Sequence, residues 1–134
     1  MGDRLTFGPA VLSRDDYGGM HIDRYGFGTL VADGHGIHTD VLLTHGRVRE
    51  HWWRREDHVL HLEDLDVLLD GHPERLVVGT GAYGRMRPAA GLEQELAARG
   101  VVAEVLPTAA AVDRINELLH DGAAGWAAAP HLTC

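Results

Sequence analysis

The sequence predicts an α/β fold: a three-layer single domain with a central mixed, mostly parallel sheet, helices on its faces, and an N-terminal antiparallel β-hairpin. Three observations carry this prediction. From residue 62 onward, helix-spaced and strand-like apolar patterns alternate strictly, the order expected of crossover units. Upstream, two strand-like runs flank Asp33-Gly34, a tight-turn signal. At 134 residues the chain is long enough for one real core and too short for two comfortable domains.

Taken in order, residues 1–19 read as an arm or edge strand, and the domain proper covers 20–134. Met20–Ala32 alternates as a strand whose Gly26 and Gly28 predict a bulge or bend. The Asp33–Gly36 turn leads into a returning strand, Ile37–Leu43, and Thr44-His45-Gly46 turns the chain again. Arg47–Arg55 is polar and ends in Trp52-Trp53-Arg54-Arg55. Leu62, Leu65, Leu68 and Leu69 have helical spacing with Glu63, Asp64 and Asp66 at the favourable end of the dipole, so a short helix spans about 62–70 and stops at Gly71. Arg75–Val78 is a buried strand ending in a glycine loop. Pro88, Leu92, Leu96 and Gly100 outline a second helix. Val101–Leu106 reads as a buried strand. Thr108 is placed as the N-cap of a third helix with Val112, Ile115, Leu118 and Leu119 inward. Gly125–Ala129 forms a last strand before the tail Pro130–Cys134.

Composition narrows the function classes. All 12 basic residues are arginine, against 20 acids and a formal charge of −8. That balance opposes a phosphate-tracking surface, so no nucleic-acid partner is expected. The absence of lysine excludes Schiff-base and P-loop lysine chemistry. No apolar run reaches the roughly 18 residues of a membrane span, so no membrane partner is expected. No secretory leader is visible and Cys134 is the only cysteine. Together these predict a cytoplasmic address.

Tyr25-Gly26-Phe27-Gly28, Asp40, Trp53-Arg54 followed by His58, Gly79-Thr80-Gly81 and His131-Leu132-Thr133-Cys134, in that order over about residues 20–134, resemble the family numbered 498 among domains of unknown function. That family includes the adipogenesis-associated Mth-type domain protein and a mitochondrial complex I assembly factor of the same fold. The resemblance implies a three-layer α/β domain with a mixed sheet, and an assembly role in preference to a reaction. The doubled Trp52-Trp53 departs from members with one aromatic at the first position.

Each motif has a chemical reading and a structural one. Gly79-x-Gly81-x-x-Gly84 after a strand spells a dinucleotide fingerprint, with Glu104 as a loose candidate for the ribose acid. A tight turn is the better fit, because the next helix begins only near Pro88. In a reduced form, the glycines and Arg85 or Arg87 form an anion nest. Arg54 offers a clamp for a carboxylate or phosphate and His58 a titratable ring; structurally, Trp53 packs on the core and Arg54 pairs with an acid such as Asp40. Ten histidines, including His58-x-x-His61, raise metal binding, but their spacing is irregular and no metal is expected. His131 and Cys134 resemble a base and thiol pair, whereas a tail whose His131 plugs into the glycine loop accounts for both without catalysis.

The leading expectation is a non-catalytic binding or assembly module with a protein partner and no cofactor. Asp40, Trp53, Arg54, His58, Gly79, Thr80, Gly81, His131 and Cys134 would share one cleft at the strand ends. The alternative is a small enzyme or ligand-binding protein for an anionic metabolite, with Arg54 as clamp and His58 or His131 as acid–base group.

Overall fold

A computed structural model describes residues 21–44 and 47–134. The expected arm at 1–19 lies outside these, as do Met20 and the His45-Gly46 part of the second turn. Strand β1 (Ile22–Gly26), β2 (Thr29–Ala32) and β3 (His35–Ile37) form an antiparallel three-stranded sheet. The expected single strand Met20–Ala32 is thus a hairpin: Phe27 and Gly28 make its turn, Gly28 at φ 76°, and the register irregularity lies between Ile22 and Arg24. Asp33 and Gly34 turn the chain a second time with φ of 49° and 78°, the left-handed pair that a tight hairpin needs.

The main sheet is ordered β5-β4-β10-β7-β9, with β4 (Leu42–Thr44), β5 (Arg47–Arg49), β7 (Arg75–Gly79), β9 (Val102–Leu106) and β10 (Trp126–Pro130). β10, β7 and β9 run parallel; β4 pairs antiparallel with both β10 and β5. The expected Ile37–Leu43 strand is split, because β3 belongs to the small sheet and β4 to the large one, and residues 38–41 carry the chain between them. The polar Arg47–Arg55 stretch begins with a strand, β5, whose Val48 is buried. A 3₁₀ turn at Leu62–Leu65 runs into α1 (Asp66–Leu69), close to the expected 62–70 helix.

Pro88 does not open the second helix. Arg87–Pro88 is a short strand, β8, parallel to β6 (Val59–Leu60), and α2 starts at Leu92 and runs to Ala98. β9 is the edge of the sheet, with Val102 55% exposed, instead of a fully buried strand. Helix α3 (Thr108–His120) buries Val112, Ile115 and Leu118 as expected. Asn116 on α3 clips β1 in place, accepting from the Ile22 amide at 2.8 Å and donating to its carbonyl at 2.9 Å.

Alternation along the inner strands divides the interior into two cores. Val77, Trp126 and Ala128 face α3 and the small sheet, whereas Leu76, Val78, Ala127 and Ala129 face Leu65, Leu68, Leu92 and Leu96. The sheet is therefore the middle of three layers. The carboxyl ends of its parallel strands open onto one end of the molecule, where residues 79–86 and 131–134 meet.

Candidate functional site

Asp40 sits in the irregular link between β3 and β4. Two bonds fasten that link to the irregular segment that follows β5: the Thr39 hydroxyl oxygen accepts the His51 amide at 2.8 Å, and the Asp40 carbonyl accepts the Trp52 amide at 3.0 Å. From there successive side chains alternate. Trp52 points inward, 5% exposed, with its indole N–H on the Asp64 carbonyl at 2.9 Å. Trp53 points outward, 79% exposed. Arg54 turns inward again and lays its guanidinium 4.9 Å from the Trp52 ring centre. The expectation that Trp53 packs on the core is corrected: the core aromatic is Trp52, and Trp53 stands in solvent away from the cluster.

The Asp40 carboxylate is the hub of this cluster. Its Oδ2 accepts from Arg54 Nη1 and from His131 Nδ1, both at 2.7 Å, and its Oδ1 accepts the Leu132 amide at 2.7 Å. A carboxylate only accepts, so the His131 ring carries a proton on Nδ1. Arg54 Nη2 lies 3.1 Å from that same nitrogen and donates to the Asp57 carbonyl at 3.2 Å. Burial by itself would raise the Asp40 pKa. The hydrogen bonds from His131, the Leu132 amide and Arg54 outweigh it and hold the carboxyl below the ordinary range. The Arg54 and His131 side chains are 5% and 4% exposed. Arg54 Nε and His131 Nε2 are buried without a hydrogen-bond partner among the described residues. His58 is exposed, and its ring meets the His131 ring edge-on at 6.5 Å.

The glycine loop closes the same end. The His131 amide donates to the Gly79 carbonyl at 3.0 Å, which extends the β10–β7 pairing by one bond. The Thr108 hydroxyl donates to the His131 carbonyl at 2.6 Å and accepts the Gly81 amide at 2.8 Å. Thr108 is thus the first residue of α3 and a buried clamp between loop and tail, in place of the expected N-cap. A side chain at Gly79 would bring its Cβ to 2.7 Å from the Thr108 hydroxyl, and one at Gly81, where φ is 108°, would collide with the Thr133 carbonyl. The Ala82 amide donates to the Thr133 carbonyl and the Arg85 amide to the Cys134 carbonyl, each at 3.2 Å. On the other side of the tail, the Tyr25 hydroxyl and the Gly28 amide both donate to the Leu132 carbonyl, at 2.8 and 2.9 Å. Burial, with the Asp40 charge adding to it, pushes the Tyr25 phenol up, which keeps it a donor.

The structure therefore brings Asp40, Arg54, His58, Gly79, Gly81, His131 and Cys134 to one end of the sheet, with Thr80 buried behind the loop and bonded to the Leu106 carbonyl. It removes the support for two readings. The loop amides of Thr80, Gly81, Ala82, Gly84 and Arg85 all donate within the protein, so they do not form an anion nest. After Gly84 the chain enters β8 instead of a helix, and Glu104 pairs with Arg75 and Arg114, so the dinucleotide pattern lacks both its helix and its acid. Arg54 is held by Asp40, as its structural reading expected, and is not an open clamp. His61 pairs with Glu56, and His35 with Glu50. Trp52, Tyr25 and Thr108 are the contributors that sequence reasoning missed. Each had a signal that was read otherwise: Tyr25 opens a quoted motif, Trp52 adjoins one, and Thr108 stands at a helix start.

These features define a three-layer α/β domain whose strand ends are closed by the segment after β10. The chain belongs to the family described as "Protein of unknown function (DUF498/DUF598)", whose model matches residues 22–130. Among solved structures, MT938 is 27% identical, with a TM-score of 0.69 over 86% of this chain and 99% of its own. An outer membrane protein from Bartonella henselae is 22% identical, with a TM-score of 0.69 and coverage of 84% and 94%. A Bordetella pertussis protein described as a Mth938-like domain is 18% identical, with a TM-score of 0.61 and coverage of 98% and 92%. Comparison with curated proteins gives no match. Among the described residues, no helix is long and apolar enough to cross a membrane.

Proposed function

We propose that this chain is a non-catalytic binding module of the assembly type, working through a protein partner at the loop end of the sheet. The observation that carries this reading is a contrast at that end. Most polar groups of the Asp40 cluster and the glycine loop are bonded to one another or to the tail, while Phe27 and Tyr83 beside them are 60% and 71% exposed with ring centres 5.9 Å apart. Large aromatics that touch each other and remain in water are typical of docking surfaces. The alternative, an enzyme or carrier for an anionic metabolite, loses support because Arg54 and the loop amides are already paired. The proposal includes a cytoplasmic setting, in keeping with the single cysteine.

The test is affinity purification from the native host with wild type and a Phe27→Ala/Tyr83→Ala variant, beside a thermal-shift series with phosphate, sulfate, acetate and ATP. The reading expects a reproducible protein partner that the variant loses, and no stabilisation by the anions. An anion that raises Tm, with no partner recovered, would replace this reading with the ligand-binding one.

A further inference from the structure

Phe27 and Tyr83 come from elements far apart in sequence, yet the backbone beside each is held in place. The hairpin tip is fixed through the Gly28 amide on the Leu132 carbonyl, and the glycine loop through its Gly84 to Gly81 turn and the Arg85 amide on the Cys134 carbonyl. The aromatic surface is therefore organised before anything binds, which lowers the ordering entropy that binding has to overcome. The two segments that carry the pair differ in charge from the rest of the chain. The chain carries −8 overall, and its acids crowd other places: Glu63, Asp64, Asp66, Asp70 and Glu74 around α1, with more on α2 and α3. Between Gly79 and Gly91 there is no acid at all, only Arg85 and Arg87. The hairpin tip from Tyr25 to Thr29 has none either, and Asp40 beneath is matched by Arg54. Arg85 and Arg87 are exposed and, unlike Arg54, Arg55, Arg75 and Arg114, hold no carboxylate among the described residues.

From this, and resting on the binding-module reading above, we infer that the Phe27–Tyr83 surface with Arg85 and Arg87 docks an acidic segment of a partner protein, one in which Asp or Glu alternates with Leu, Phe or Trp. The aromatic pair supplies apolar contact area. The arginines supply charge-assisted hydrogen bonds to carboxylates and steer the encounter. A polynucleotide also offers negative charge and stacking faces. It would bring many phosphates against a chain of the same sign whose rim here offers two arginines, whereas a short peptide needs only two.

The experiment is selection of displayed random dodecapeptides on the wild-type protein. Fluorescence anisotropy of the enriched peptides then follows on wild type, Tyr83→Ala and Arg85→Glu/Arg87→Glu, with a dye-labelled oligothymidine measured in parallel. All three changed side chains are exposed, so the variants should melt with wild type. The inference expects peptides rich in Asp and Glu next to large apolar residues, bound about tenfold or more weakly by each variant. Enriched peptides without acidic bias, or bound equally by the charge-reversed variant, would overturn the inference and leave the binding-module reading standing on another face. No enrichment of any peptide would remove both. Oligothymidine binding lost in the same variants would overturn it in favour of a nucleic acid.

Discussion

Asp40→Asn isolates the interaction on which the loop end depends. The substitution preserves volume, but an amide turned either way opposes a donor to at least one of the three donors now at 2.7 Å. It also leaves the Arg54 guanidinium, 5% exposed, without its counter-charge. Breaking a buried pair from one side costs about 3–5 kcal/mol, and the low end applies because the Asp40 side chain retains 14% exposure. A loss of about 3 kcal/mol corresponds to a fall in urea midpoint of roughly 1.5–2 M. Fluorescence of Trp52 and Trp126, both buried, reports the transition. In a double-mutant cycle with Arg54→Met, the double variant should be less destabilised than the sum of the singles, because no charge is then left unpaired. The pH dependence has a definite sign. With the folded-state pKa below the unfolded one, the Asp40 contribution is complete above the ordinary carboxylate value and disappears as pH falls through the folded value. The gap between wild type and Asp40→Asn is therefore widest near neutrality and closes in acid. A single variant within about 0.5 kcal/mol of wild type, or an additive cycle, would refute the idea that the cluster is a coupled, buried hub.

Other substitutions test neighbouring parts of the argument. Trp52→Ala should cost about 3–5 kcal/mol in urea unfolding, whereas Trp53→Ala should stay within about 0.5 kcal/mol; equal effects would contradict the alternation of the two indoles. Thr108→Val removes a hydroxyl that bridges the Gly81 amide and the His131 carbonyl, and should lower stability by about 1–3 kcal/mol. Thr108→Ser keeps the hydroxyl and should lose less, and a Thr108→Val variant as stable as wild type would show that the two bonds do not contribute. Gly81→Ala places a side chain against the Thr133 carbonyl at a positive φ. Hydrogen exchange at the Ala82 and Arg85 amides should accelerate markedly, and unchanged protection there would mean that the tail does not rest on the loop.

Much of the architecture was legible because it rests on local pattern: the Asp33-Gly34 turn, the buried run before Gly79, and the inward face of α3. The elements that went astray were decided by partners distant in sequence. Pro88 reads as a helix opener, yet the segment pairs with Val59–Leu60 and the helix waits for Leu92. Thr108 has the residue type and position of a cap, but a closer claim comes from Gly81 and His131, 27 and 23 residues away. For Arg54, charge supports both an open clamp and a pairing with Asp40, and the structure shows the pairing. The sequence puts Trp53 on the core, whereas in the structure Trp52 and Arg54 turn inward and Trp53 faces solvent. Nothing local indicated that the glycine-loop amides would be occupied by the chain's own tail, since backbone carbonyls carry no residue signature.

The position of β10 has a consequence for how the domain is made. It follows every other strand of the large sheet in sequence, yet it lies between β4 and β7 and joins the antiparallel pair to the parallel one. Until Trp126–Pro130 is synthesised, β4 and β7 each present an unpaired edge, and neither core can close. Folding then waits for the whole domain to emerge, is dominated by contacts distant in sequence, and is slow for a domain of this length. In a chain made only that far, those two edges are the places where pairing with another chain would begin.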